Sequence, residues 1–92
     1  MIDEETKRRA VGRLNRIEGQ VQGVRRMVEE EKYCVDILMQ ISAIQGALEQ
    51  VRKILLGRHI ESCVAEAMAS GKEGDRHKKI EELLDVFSRY GR

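Results

Sequence analysis

From Cys34 onward, apolar residues recur at intervals of three and four: Cys34, Ile37, Ile41, Ile44, Leu48, Val51 and Leu55. That period belongs to one stripe of an α-helix. Ile60, Val64, Ala67 and Met68 carry it past Gly57, and the chain has no proline to break it. The pattern predicts a helix over about 34–70, stopped at Ser70 and Gly71, where glycine suits a left-handed turn. Leu38, Met39, Ala43, Ala47 and Ile54 add apolar surface on other sides. A helix apolar around so much of its circumference is buried between neighbours. A chain of 92 residues offers few neighbours, and short chains commonly gain core by association. Two copies of this helix are expected to form the core of a dimer.

The flanking segments are also helical. Asp3, Glu4 and Glu5 suit a helix start, with a capping side chain and negative charge near the positive end of the dipole. Ala10, Leu14, Ile17, Val21, Val24 and Val28 then repeat four, three, four, three, four, predicting a first helix over about 4–29. Gly19 and Gly23 read as close-packing points against another helix. Glu30–Lys32 is a tight connection. Lys72–Gly74 forms a short loop, and Asp75 caps a third helix over about 75–89 with Ile80, Leu83, Leu84 and Phe87 on its buried face. The terminal Arg89–Arg92 is expected to fray. The fold class is all-α, with three helices in one domain over 1–92. No run of 18 uncharged apolar residues suggests a membrane span, and MIDEETKRR has no apolar signal core. A cytoplasmic protein is expected.

The only two cysteines and one of the two histidines fall in the order Cys34, His59, Cys63. His59 and Cys63 are four apart, one turn apart on one helix face. Cys34 lies 25 residues before His59, on the order of 37 Å along a continuous helix. One chain cannot bring all three together, whereas an antiparallel dimer can. Two thiolates and an imidazole favour soft or borderline metals. Three ligands fall short of the four of a structural zinc site, and a trigonal set fits Cu(I). The plainer readings are two small core cysteines and a surface histidine. His77, in a charged stretch, reads as a surface residue. Cys63 activated by His59 as a nucleophile lacks an orienting third group or an oxyanion-hole signature, so no enzyme is expected.

Net charge is only +1, but the distribution is uneven. Residues 7–26 carry Lys7, Arg8, Arg9, Arg13, Arg16, Arg25 and Arg26 against Glu18 alone. Residues 27–51 carry Glu29, Glu30, Glu31, Asp36 and Glu49 against Lys32. With no aromatic residues interleaved, stacking on single strands is not indicated. Basic side chains on one face would meet duplex phosphates. A solvated basic helix face is the plainer reading, and no helix-turn-helix spacing is evident.

Several stretches resemble the CsoR/RcnR family of bacterial transcriptional repressors. They are Arg13-Leu14-Asn15-Arg16-Ile17-Glu18-Gly19-Gln20-Val21, Tyr33-Cys34-Val35-Asp36-Ile37-Leu38, Gln40-Ile41-Ser42-Ala43-Ile44-Gln45, His59-x-x-x-Cys63, and Ile80-Glu81-Glu82-Leu83-Leu84-Asp85-Val86-Phe87. The resemblance implies a three-helix protomer, an antiparallel four-helix-bundle dimer and a dimer of dimers. It implies a homotetramer that binds double-stranded operator DNA without a standard reading motif and lets go when an inducer binds.

Within that family, Cys34, His59 and Cys63 match the Cu(I)-sensing pattern, with Cys34 of one protomer opposite His59 and Cys63 of the other. Nickel and cobalt sensors would carry His in place of Cys63 and an N-terminal His, where this chain has Ile2 and Asp3. Formaldehyde sensors keep a proline after the initiator Met. Persulfide sensors keep both cysteines but usually lack the histidine. Tyr33 and Glu82 resemble the pair that hydrogen-bonds the far side of the bound imidazole. For DNA contact the resemblance favours Arg13, Arg52 and Lys53, then Arg16 and Arg9, and Gln50 stands where some members are basic. The alternatives are a thiol sensor using Cys34 and Cys63, and a helical adaptor that binds no DNA.

Overall fold

The computed structural model describes residues 2–70 and 73–90, the side chains of Ser70, Glu73, Asp75, Phe87 and Tyr90 excepted. Three helices follow in order: α1 (Glu4–Glu29), α2 (Cys34–Ser70) and α3 (Glu73–Tyr90). No strand occurs among the described residues. The chain divides into two compact units, residues 2–56 and 57–92.

In the 2–56 unit, α1 starts on a side-chain cap. Asp3 sits in extended backbone, and its Oδ1 accepts from the Thr6 N–H at 2.8 Å while its carbonyl accepts from Lys7 N–H at 2.9 Å. The side chain thereby satisfies one of the orphan donors at the helix start, and the carbonyl takes the first intrahelical bond. The far end closes on Glu31, at φ 54°. Glu31 N–H donates to the Val28 carbonyl at 3.0 Å and Lys32 N–H to the Met27 carbonyl at 2.9 Å. This is the double closure of a Schellman motif, with Glu31 at the left-handed position that glycine usually fills. The chain turns there and enters α2 at Cys34.

Ala10 and Ile17 of α1 bury themselves against Val51 of α2, with Ile44, Ala47 and Leu55 packed alongside. Only part of each apolar stripe is used. Leu14, Val21 and Val28 on α1, and Leu38, Met39, Ile41 and Leu48 on α2, stay exposed within one chain. A Cβ built at Gly19 or Gly23 meets nothing within 4 Å. Any close packing at those glycines therefore comes from outside the chain's own α1–α2 pair.

In the 57–92 unit, the last turns of α2 face α3. The third helix begins at Glu73, two residues before the expected Asp75 cap. Gly74 and Asp75 lie inside it rather than ahead of it, because no proline or apolar residue fixes the start and the backbone can wind back into the acidic segment. The face expected to be buried is mixed: Leu83 is half-buried, while Ile80 and Leu84 are exposed. The expected Gly71 stop, Lys72, the side chain of Phe87 and the final Gly91–Arg92 lie outside the described residues.

Candidate metal centre

The helical period of α2 sets the centre. His59 and Cys63 project from consecutive turns of one face, and Cys63 Sγ lies 3.5 Å from His59 Nε2. Cys63 is 3% exposed, lying in an apolar groove with Val64, Ala67, Ile80 and Leu83. From α3, Glu82 Oε1 approaches His59 Nε2 to 3.6 Å. One donor atom from each of His59, Cys63 and Glu82 falls within 4.8 Å of the other two. Among the described residues this is the group able to share a metal ion. A buried thiol beside an imidazole is a soft-to-borderline donor pair, suited to Cu(I) and zinc rather than to hard, oxygen-seeking ions.

Cys34 and Tyr33 belong to the 2–56 unit and are not members of this group. Cys34 is a free, exposed thiol at the first position of α2, and Tyr33 is 69% exposed. The other histidine, His77, pairs with Glu81 at 3.1 Å on an exposed surface.

Two charged residues that the sequence did not single out complete the seam between α2 and α3. Lys79 Nζ lies 3.1 Å from Glu66 Oε2 and 3.9 Å from Glu82 Oε2. The hydrogen bond and charge of Glu66 raise the pKa of Lys79, helped by Glu82. The reciprocal hydrogen bond and charge of Lys79 lower that of Glu66. Glu66 stands seven residues after His59, two helical turns along the same face, and that spacing was the available signal.

The expected DNA contacts lie in the 2–56 unit. Arg13, Arg16 and Lys53 are exposed. Arg52 is half-buried and already engaged: its Nε donates to Glu49 Oε2 at 2.8 Å and its Nη2 to Glu49 Oε1 at 2.6 Å. This two-pronged hydrogen bond raises the Arg52 pKa.

Residues 6–89 match the family model described as metal-sensitive transcriptional repressor. The chain belongs to that family. Transcriptional repression, the role this family is described by, implies DNA binding and is not an enzymatic role. It is 51% identical over 84 residues to the copper-sensing transcriptional repressor CsoR of Bacillus subtilis, covering 91% of this chain and 80% of that one. It is 51% identical over 69 residues to the copper-sensing repressor RicR of Mycobacterium tuberculosis, covering 75% and 72%. Its fold matches the crystal structure of the copper-sensing repressor CsoR with Cu(I) from Geobacillus thermodenitrificans, with TM-score 0.83, 48% identity, and coverage of 100% of this chain and 95% of that one. The nickel-responsive regulator InrS shares the fold at TM-score 0.75 and 38% identity, covering 87% and 90%. Among the described residues of this repressor no helix is long and apolar enough to cross a membrane.

Proposed function

We propose that this repressor senses copper: metal-free it holds operator DNA, and Cu(I) binding at Cys34, His59 and Cys63 releases it. The buried Cys63 thiol, 3.5 Å from the His59 imidazole, carries the reading, because it presents two Cu(I)-compatible donors on one helix face. Similarity to copper-sensing repressors at 48–51% identity supports the choice of metal. Cys34 of a second copy supplies the third donor. The apolar side chains left exposed on α1 and α2 suit a four-helix-bundle dimer, and two such dimers a homotetramer. The whole chain acts as one sensing and DNA-binding domain in the cytoplasm.

The supporting roles fall to Glu82 and Tyr33. A ligating imidazole gives one nitrogen to the metal and the other to an acceptor that fixes its tautomer. Here Nε2 alone faces both Cys63 and Glu82. In the completed site the ring therefore gives one nitrogen to each role, and Glu82 keeps Nε2 if Nδ1 becomes the ligand. Arg13, Arg16, Arg52 and Lys53 contact DNA phosphates. Linkage requires that DNA weaken Cu(I) binding by the same factor that Cu(I) weakens DNA binding.

The test is an anaerobic Cu(I) titration of the reduced protein against a competing chelator, with His59→Ala alongside. One tightly held copper per protomer, weakened about 10- to 100-fold or more in the variant, is expected, with metal-driven DNA release abolished in parallel. Binding indifferent to His59 would sink the copper reading and turn attention to sulfur chemistry at Cys34 and Cys63.

A further inference from the structure

His59, Glu82, Lys79 and Glu66 form one alternating row across the seam between α2 and α3. Glu82 uses its two oxygens in opposite directions, Oε1 toward His59 Nε2 at 3.6 Å and Oε2 toward Lys79 Nζ at 3.9 Å. Lys79 is in turn held more closely by Glu66, at 3.1 Å. Both ends of the row, His59 and Glu66, are fixed to α2, and both middle members rise from one turn of α3. The Glu82 side chain is 46% exposed and that of Lys79 33%, so neither carboxylate nor ammonium is locked by packing. Their orientation rests on the charges around them.

We propose that Lys79 is a positioning residue for the metal-responsive site: anchored by Glu66, it aims the Glu82 carboxylate at His59. This rests on the reading of His59 and Cys63 as Cu(I) ligands. The row has a defined polarity. Without Lys79, Glu66 and Glu82 face each other as like charges across the seam, and Glu82 has every reason to turn to water. With Lys79, one oxygen of Glu82 is tethered and the other is left for the imidazole. Loss of the ammonium therefore weakens the site through Glu82. The ion pairs are partly exposed, and pairs of that kind carry modest weight. The expected change is accordingly smaller than for loss of a ligand.

The experiment uses the full-length reduced protein, Cu(I) with a competing chelator, and DNA release followed by fluorescence anisotropy. Lys79→Gln is expected to weaken Cu(I) binding and metal-driven release about two- to fivefold. Lys79→Arg should restore most of it, and Glu66→Gln should show a smaller loss of the same sign. In a Glu82→Gln background, Lys79→Gln should add nothing, since coupled residues fail to add. Nitrogen-15 spectra of the His59 ring in metal-free protein should shift in Lys79→Gln toward those of Glu82→Gln, which a purely structural role would not produce. Wild-type behaviour of Lys79→Gln overturns the proposal, as does an equal loss in the Glu82→Gln background, which would mean a general charge effect. If Lys79→Gln does not fold by circular dichroism, Glu66→Gln and Lys79→Arg carry the same comparison. If His59→Ala leaves Cu(I) binding unchanged, the copper reading fails, while the ring spectra still decide the row from His59 to Lys79.

Discussion

At the scale of single residues, Glu31 holds a position suited to another residue type. Its φ of 54° puts a side chain where Cβ crowds the following carbonyl, at a cost of about 1–2 kcal/mol. Yet the two hydrogen bonds that close α1 need that conformation. Glu31→Gly removes the clash and adds some backbone entropy to the unfolded chain. The net expectation is a gain of about 0.5–1 kcal/mol, read as a higher urea midpoint with an unchanged slope. Glu31→Val, with branching at Cβ, should move the midpoint the other way. A glycine variant no more stable than wild type would mean that Glu31 makes a compensating interaction in the assembled protein. The turn was legible as a connection between two periodic runs. Its closure was not, because nothing in Glu30-Glu31-Lys32 announces a left-handed residue.

At the scale of elements, the α2–α3 seam has a pH dependence whose sign follows from its pairs. Lys79 holds the Glu66 carboxyl below its ordinary range, and Glu66 holds Lys79 above its own. The Glu66 contribution is complete above the unfolded carboxylate pKa and disappears as pH falls through the lowered folded value. The Lys79 contribution is complete below the unfolded ammonium pKa and disappears as pH rises through the raised folded value. The pair therefore stabilises across the neutral range. Glu66→Gln is expected to melt slightly below wild type at pH 7, and the gap should close in acid as pH falls through the lowered Glu66 value. A gap that persists in acid would assign the loss to packing. The three helices, and the one-turn spacing of His59 and Cys63, could be read from apolar periodicity and the i, i+4 rule. The partnership of Glu66 with Lys79 could not, since it depends on how α3 is set against α2, which no local pattern states. The start of α3 was misplaced for a related reason: Glu73, Gly74 and Asp75 are all acceptable in a first turn, and no apolar residue chooses among them.

At the scale of the whole molecule, a chain of net charge +1 would meet a polyanion through local charge, and one of the expected DNA-binding residues is already ion-paired within the chain. Arg52 commits two of its donors to Glu49. A guanidinium already forked onto a carboxylate gains less from a phosphate than an exposed lysine does, because one pairing replaces another. Lys53 and Arg13 are exposed. Lys53→Ala and Arg13→Ala should therefore weaken operator binding. Each should flatten the dependence of log K on log salt by about 0.9 for every phosphate left without its cation. Arg52→Ala should cost less than Lys53→Ala. Glu49→Ala, by removing both a negative charge and the competitor for the Arg52 fork, should strengthen binding. Anisotropy titrations of metal-free protein at several salt concentrations separate these outcomes. An unchanged slope in Lys53→Ala and Arg13→Ala would place the DNA on a different face, whereas weaker binding in Glu49→Ala would mean that the Glu49 pair holds Arg52 in the pose that DNA requires.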